Sequence, residues 1–364
     1  MRKHIFIRMQ KFLEKYFSFI RKHIPQQPEE SCVGLDIGIR SCKAVEMVLS
    51  NTGASKIVNW AVEPIDNGDM TGAIRKILAG FGFSSKNVFT GLSGQGILIR
   101  FIKMPRMPLK QLRQSLYLEA DKYFPFSKDQ IFMDCHIVKD NKDNKVLMLA
   151  AVAKKEIVKK RIDFVFSLGL QSNCVGLNAV ALSNAFIKLQ KNAKERQDSQ
   201  HPSLSTVAVL DIGEIKSSLV ILDKNTPKFT RDISVGGKDF TQKIMNVLDL
   251  DINQAEAMKQ NSKDKEEEIF SACQATLSSL VSEVRLSFDY FTSENSSEVI
   301  RLCLTGDSSR LPKIENFLMR ELGIPVERWN PMDVLDFSDQ VSRESFSENI
   351  HQLPIALGLS FYDD

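Results

Sequence analysis

The feature that most constrains this chain is a short pattern that occurs twice, 175 residues apart. Residues 32–46 read Cys-Val-Gly-Leu-Asp-Ile-Gly-Ile-Arg-Ser-Cys-Lys-Ala-Val-Glu, and residues 207–222 read Val-Ala-Val-Leu-Asp-Ile-Gly-Glu-Ile-Lys-Ser-Ser-Leu-Val-Ile-Leu. In each, an apolar strand ends at an aspartate (Asp36, Asp211) and a glycine two residues on (Gly38, Gly213) turns the backbone. A second strand then carries hydroxyl or ammonium groups: Ser41 and Lys43 in the first copy, Ser217 in the second. Backbone N–H groups at such a turn, beside a hydroxyl and an ammonium, suit phosphate oxygens, and Asp36 and Asp211 suit a hydrated Mg²⁺ held through water. One copy alone is ordinary turn chemistry. Two copies separated by the length of a domain predict two related halves meeting at one crevice. A third strand, around residues 302–304, runs into Thr305, Gly306, Asp307 and Ser308, and is expected to open a helix near Pro312 whose N–H groups face that crevice.

Composition narrows the class. With 364 residues, 43% of them hydrophobic, the chain can bury a large core in two main domains, and a net charge of +3 offers no general attraction to nucleic acid. Six scattered cysteines without a CxxC read as reduced, mostly buried thiols in a cytoplasmic protein, and five histidines show no metal spacing. No apolar run reaches bilayer length.

Taken in order, residues 1–24 plot as a basic amphipathic helix with Ile5, Met9, Phe12, Leu13, Tyr16, Phe19 and Ile20 on one face and arginines and lysines on the other. Three placements suit such a helix: an anionic membrane surface, the protein's own body and a partner helix. A linker completes residues 1–31. Residues 32–96 alternate hairpin, strand and helix. Residues 97–172 predict an inserted subdomain of strand, helix (109–123), strand, strand and helix (154–168). Residues 173–205 return to the first domain and cross over. Residues 206–340 form the second domain, with a turn at Gly236 and Gly237 opening one helix and Glu256 and Lys259 three apart on another. Residues 341–364 supply a closing helix that returns to the first domain.

This arrangement resembles the actin/Hsp70-type nucleotide-binding fold, an α/β fold of two related domains. In that resemblance Asp36, Gly38, Ser41 and Lys43 match the first phosphate loop, and Asp211, Gly213 and Ser217 the second. Gly236 and Gly237 match the paired-glycine turn, Glu256 and Lys259 the nucleoside-contacting pair, and Thr305, Gly306 and Asp307 the adenosine turn. Within the superfamily, Arg100-Phe-Ile-Lys-Met-Pro-Arg-Met-Pro108, followed by Glu119, Tyr123, Phe124, Pro125 and Phe126, is similar to the inserted subdomain of the PilM family of type IV pilus assembly. Leu353-Pro-Ile-Ala-Leu-Gly-Leu359 agrees, and the resemblance covers residues 32–361. The division protein FtsA shares the subdomain but normally ends in a membrane helix, which the ending Tyr362-Asp-Asp364 does not resemble. The resemblance implies a cytoplasmic ATP- and Mg²⁺-binding adaptor, peripheral at the inner membrane. It would grip the N-terminal cytoplasmic peptide of the inner-membrane protein PilN and communicate with the pilus assembly motor.

Two residues depart from the pattern. Asp307 stands where a second glycine is usual and suits a ribose hydroxyl or an adenine amino group, unless it crowds the base. Glu214 brings an anion to the second phosphate loop, which Mg²⁺, Lys43 or Lys216 would have to offset. With no residue placed as a water-activating base, hydrolysis is expected to be weak or absent. Two other readings remain open from the residues: a small-metabolite kinase of the same fold, and a scaffold whose nucleotide site has decayed.

Overall fold

The computed structural model describes residues 31–49, 55–83, 85–140, 144–196 and 206–361. The expected helix at 1–24 therefore lies outside the described residues, as does the chain's last tripeptide. β1 (Ser31–Ile37) and β2 (Ser41–Leu49) form the first hairpin, with Asp36 opposite Lys43, and β3 (Ser55–Pro64) extends it antiparallel. α1 (Met70–Gly80) starts where the Asp69 side chain accepts from the Gly72 amide, and it lays Ala73, Ile74 and Ile77 against the sheet. β4 (Asn87–Leu92) then runs parallel to β1.

The chain leaves this sheet for β5 (Ile97–Pro105), α2 (Leu109–Leu118), α3 (Ala120–Tyr123), β6 (Ile131–Asp140) and β7 (Lys145–Lys154). These strands form a separate antiparallel sheet, β5-β7-β6, over its own core of Ile102, Leu112, Leu116, Met148 and Val152. The single helix expected over 109–123 is broken at Glu119 (φ −100°, ψ 12°), and the break turns Ala120 and Phe124 into the core. α4 (Lys155–Ser167) and β8 (Gln171–Leu177) follow, then α5 (Asn178–Arg196). α4 was expected to close the inserted subdomain, but its buried Val165 packs with Val33, Leu35 and Ile37 of the first sheet. The same helix also touches the inserted sheet, with Lys155 over the Phe132 ring, so it joins the two. The apolar face of α4 is complementary to the strands it leads into, which is why it folds back on them.

The second half repeats the plan. β9 (Thr206–Ile212), β10 (Ser217–Asp223) and β11 (Thr226–Ile233) form the antiparallel part. α6 (Gly237–Leu248), α7 (Ile252–Gln260) and α8 (Glu266–Asn295) cover one face, burying Phe240, Ile244, Leu277, Leu280, Val284 and Phe291. β12 (Arg301–Thr305) runs parallel to β9, and α9 (Ile314–Leu322) leads to β13 (Val326–Arg328). The strand orders, β3-β2-β1-β4-β8 and β11-β10-β9-β12-β13, are the same topology twice, so the duplication extends from the hairpin to the whole sheet. The helix after β12 starts at Ile314 rather than Pro312. A 3-10 turn over Asp307–Arg310 comes first, and Lys313, at φ 60°, separates it from α9.

The polypeptide rejoins the first half before residue 341. The Ile57 amide donates to the Asp336 carbonyl (2.8 Å), and Val334 and Leu335 pack with Val45, Met47 and Ile57. α10 (Arg343–Asn349) precedes α11 (Pro354–Ser360), in which every residue is buried. α11 lies pressed between β1 and α5. A Cβ on Gly34 would stand 2.0 Å from the Ala356 carbonyl oxygen, and one on Gly358 1.8 Å from that of Ala181. Just before it, the His351 carbonyl accepts from the Gly306 amide (2.7 Å) and the Thr305 hydroxyl (2.9 Å), which pins the second half to the first beside the crevice.

Candidate functional site

Strand alternation decides which side chains reach the space between the halves. On β1, Val33, Leu35 and Ile37 enter the core under α1, so Asp36 faces the other way. Its cross-strand partner Lys43 shares that face, as does Ser41 two residues earlier. On β9, Ala208, Leu210 and Ile212 enter the core under α6 and α8, while Val207 and Val209 pack toward Phe186 of α5. Asp211 belongs to this second set and so looks toward the first half.

The two turns share one geometry: the Gly38 amide donates to the Ser41 carbonyl (3.1 Å), and the Gly213 amide to the Lys216 carbonyl (3.2 Å). This register corrects the sequence reading. Lys216, not Ser217, is the counterpart of Ser41, and Ser218, opposite Asp211, is the counterpart of Lys43. Ser217 points to the opposite face of the sheet, where its hydroxyl donates to the Val235 carbonyl (2.7 Å) and anchors the turn before α6.

At the junction of the halves, the Lys43 ammonium lies 3.9 Å from an Asp36 carboxylate oxygen and 3.4 Å from Asp307. Burial opposes charge on Lys43, but Asp307, Asp36 and Asp211 together outweigh it and hold the ammonium above its ordinary pKa. Burial likewise raises Asp36, with Asp307 adding and Lys43 opposing. Asp211 is pushed up to about 7, first by burial and then by the charge of Asp36. Two hairpins distant in sequence therefore share one electrostatic site.

The further end is built by α6 and α7. Lys259 donates to Glu256 (2.9 Å), to the Thr241 hydroxyl (2.9 Å) and to the Gly237 carbonyl (3.3 Å), and Thr241 also bonds Glu256. Gly237 has no room for a side chain: a Cβ would lie 2.5 Å from Ser308 Oγ and 2.8 Å from Glu214 Oε2. A Cβ on Gly236 would likewise stand 2.6 Å from the backbone of residues 214–216. Gly306, at φ 92°, crosses the end of β9 where a Cβ would meet the Ile212 amide nitrogen at 2.5 Å, so only glycine lets the third turn enter.

Of the residues singled out in the sequence, Asp36, Gly38, Ser41, Lys43, Asp211, Gly213, Gly236, Gly237, Glu256, Lys259, Gly306 and Asp307 border this region. Ser217 does not, and Thr305, wholly buried, spends its hydroxyl on His351. Asp307 does not sit at the nucleoside end; its carboxylate turns to Lys43. The expected offset to Glu214 is also supplied differently. Lys216 pairs with Asp232, while Arg40 at the tip of the first hairpin reaches Glu214 (3.9 Å) and Glu256 (3.8 Å) across the gap. Burial raises Glu214, with Lys259 and Arg40 opposing. Sequence reasoning assigned no role to Arg40, or to Arg161 of α4, which donates to the Thr90 hydroxyl (3.0 Å) and acts on Asp36 through space. Arg40 stands inside the first motif, but nothing marks Arg161 among the cations of an amphipathic helix. Three buried polar atoms here have no hydrogen-bond partner: Ser41 Oγ, Ser308 Oγ and Asp307 Oδ1.

The family described as "Type IV pilus assembly protein PilM" matches residues 34–363. The chain belongs to the PilM family. A solved PilM-PilN type IV pilus biogenesis complex is similar to this chain at a TM-score of 0.78, with 25% identity, over 92% of this chain and 98% of that one. The ethanolamine utilization protein EutJ from Carboxydothermus hydrogenoformans is similar in fold at a TM-score of 0.50, with 14% identity over 94% of each chain. The architecture of this PilM-family chain is the actin-like ATPase fold, with a three-stranded inserted sheet.

Proposed function

We propose that this chain is a nucleotide-binding adaptor of type IV pilus assembly, closing its two halves on ATP and Mg²⁺ while holding the N-terminal peptide of a PilN-like inner-membrane protein. The observation that carries the nucleotide half is the convergence of Asp36, Lys43 and Asp211 beside unpartnered Ser41 and Ser308 hydroxyls. Buried hydroxyls rarely go unbonded, so their presence around a cation suits a ligand rich in acceptor oxygens. The residues also fit the metal: Asp36 and Asp211, both raised by burial, regain their charged form beside a divalent cation held through water. Bound there, Mg²⁺ would neutralise phosphate charge. The chain's own part is to present Lys43 and the Gly38 and Gly213 turns to phosphate, and Glu256 and Lys259 to the nucleoside. The reading is nucleotide binding, with no residue assigned the part of a water-activating base.

The partner half rests on the family and on the PilM-PilN complex. On this chain a cavity of about 280 Å³ lies where the end of β4, the start of β5 and β11 meet, with Ser93, Ile99, Arg100, Thr230 and Asp232 among its walls. β5 and β11 are both outer strands of their sheets, so an extended peptide there would gain backbone hydrogen bonds. A complex of this kind would hold the chain at the cytoplasmic face of the inner membrane and link it to the assembly motor. Calorimetry with ATP and MgCl₂ tests the first half of the reading, and no heat at millimolar ligand removes it. Affinity capture from solubilised inner membrane tests the second: recovery of a single-span protein with a short cytoplasmic N-terminus is expected, and its absence overturns that half.

A further inference from the structure

We infer that Asp307 sets the ligand specificity of the crevice, occupying the phosphate position on Lys43 so that a phosphate-bearing ligand enters only together with a divalent cation. The inference rests on the nucleotide reading above and adds to it a residue-level rule for admission.

The geometry is local and complete. Lys43 comes from β2 of the first half and Asp307 from the turn after β12 of the second, and their side chains meet at 3.4 Å across the junction. The other partner of Lys43, Asp36, is fixed opposite it in the hairpin. A phosphate oxygen that takes over the hydrogen bond the ammonium now gives Asp307 displaces that carboxylate, while Asp36, opposite Lys43 in the hairpin and 3.9 Å from it, stays beside the cation. Once displaced, Asp307 becomes a third carboxylate beside Asp36 and Asp211, and the anionic ligand adds to the same sign. A buried cluster of that charge is unfavourable until a cation offsets it.

Two observations mark the place as built for a ligand. Ser308 and Ser41, only 1% and 7% exposed, each leave a hydroxyl without a partner, and the second oxygen of Asp307 is buried and unbonded. Gly306, at φ 92°, gives the turn carrying Asp307 and Ser308 its close approach to β9. A carboxylate that served packing alone would be expected to bond both oxygens.

The test compares the full chain with D307N, which keeps shape and removes charge, and with D307S, which keeps a hydrogen-bonding group in a smaller volume. ATP and inorganic tripolyphosphate are titrated calorimetrically, each in MgCl₂ and in EDTA, after circular dichroism confirms folding. The wild-type chain is expected to bind both probes at least about tenfold more tightly with Mg²⁺, a factor in keeping with one close charge pair. In D307N that ratio should fall, chiefly through tighter binding in EDTA, while the part of it that Asp36 and Asp211 supply remains. Binding by D307N alone, with none by wild type, supports the same rule in stricter form. If wild type binds Mg·ATP and both variants keep its cation dependence, the inference about Asp307 is overturned while the nucleotide reading stands. If no protein binds either probe under any condition, the nucleotide reading fails and the inference with it.

Discussion

The first and second hairpins have the same turn, the same strand pairing and an aspartate at the same place, yet they divide the chemistry unequally. Opposite Asp36 the chain puts a lysine, and opposite Asp211 a serine. At the position two residues before, the first hairpin has Ser41 and the second Lys216, so hydroxyl and ammonium are exchanged. Lys43 is buried against two carboxylates, whereas Lys216 stays partly exposed and pairs with Asp232 on its own sheet. A duplicated backbone thus supplies positions, and the side chains placed on them decide which half carries the central cation. The first hairpin holds the crevice together; the second contributes an aspartate that is costly to ionise.

The largest consequence concerns Lys43 and its counterpart Ser218. Lys43→Met leaves the buried Asp36 and the half-buried Asp307 without their ammonium, and breaking a buried pair from one side costs about 3–5 kcal/mol. Ser218→Ala loses one half-buried hydrogen bond to Asp232, worth about 1 kcal/mol. Urea unfolding of the two variants at pH 8 should show this disparity. Equal midpoints would mean that the halves are not electrically unequal. The Lys43→Met deficit should shrink toward pH 5, because Asp211, pushed up to about 7, takes up its proton on the way and Asp36 is raised in the same direction.

Next in size is the second hairpin's own aspartate. Asp211 titrates near 7 in the folded protein against 3.8 when free, so between these values the folded state binds a proton that the unfolded state does not. Through this group, stability is greatest below about pH 4, declines as pH rises to 7 and stays low above it. Asp211→Asn removes that penalty and should stabilise the ligand-free protein by at most about 4 kcal/mol at pH 8, with little gain at pH 4. Thermal melts at the two pH values measure it. A variant less stable at pH 8 would show that Asp211 is satisfied where it stands. The same change should abolish Mg·ATP binding, a stability gained at the expense of the site.

The turns themselves offer a smaller contrast. A Cβ on Gly38 would lie 2.7 Å from the Ser41 carbonyl oxygen, inside contact distance, whereas one on Gly213 would lie 3.0 Å from that of Lys216. Gly38→Ala should therefore cost about 1 kcal/mol more than Gly213→Ala, read as the difference in their melting midpoints. Identical losses would make the two turns interchangeable.

Much of this was legible in the sequence, and the failures have physical reasons. Alternation and turn residues were enough to find both hairpins, the paired glycines and the Glu256–Lys259 pair, because these depend on local spacing. Ser217 is off by one place: the turn hydrogen bonds give Lys216, not Ser217, the position that Ser41 has in the first hairpin, and in a strand one place is the other face. The contacts of Thr305 and Asp307 could not be read from local spacing because their partners, His351 and Lys43, are remote in the chain. The break at Glu119 had no glycine or proline to announce it, since it follows from the burial of Ala120 and the packing of Phe124 in the subdomain core. The reach of Arg40 to Glu214 and Glu256 depends on how closely the halves approach, a quantity no local pattern encodes.

That reach gives the subtlest contrast between the hairpins. Arg40 at the first tip crosses the gap, while Lys216 at the second remains on its own sheet. Both cations keep solvent contact, so neither Arg40→Ala nor Lys216→Ala should change stability by more than about 0.5 kcal/mol. The difference lies in the field each leaves behind. Glu214 is already raised by burial and by Glu256, and Arg40 is one of the two cations that restrain it. Without Arg40 its carboxyl should titrate higher still, whereas without Lys216, which is committed to Asp232, it should stay where it is. Carboxyl chemical shifts followed against pH in selectively labelled protein report this directly. An upward movement in Arg40→Ala alone means that the first hairpin reads the charge of the opposite half in the closed form. Equal curves for both variants would mean that the halves stand apart in solution, leaving each hairpin to its own sheet.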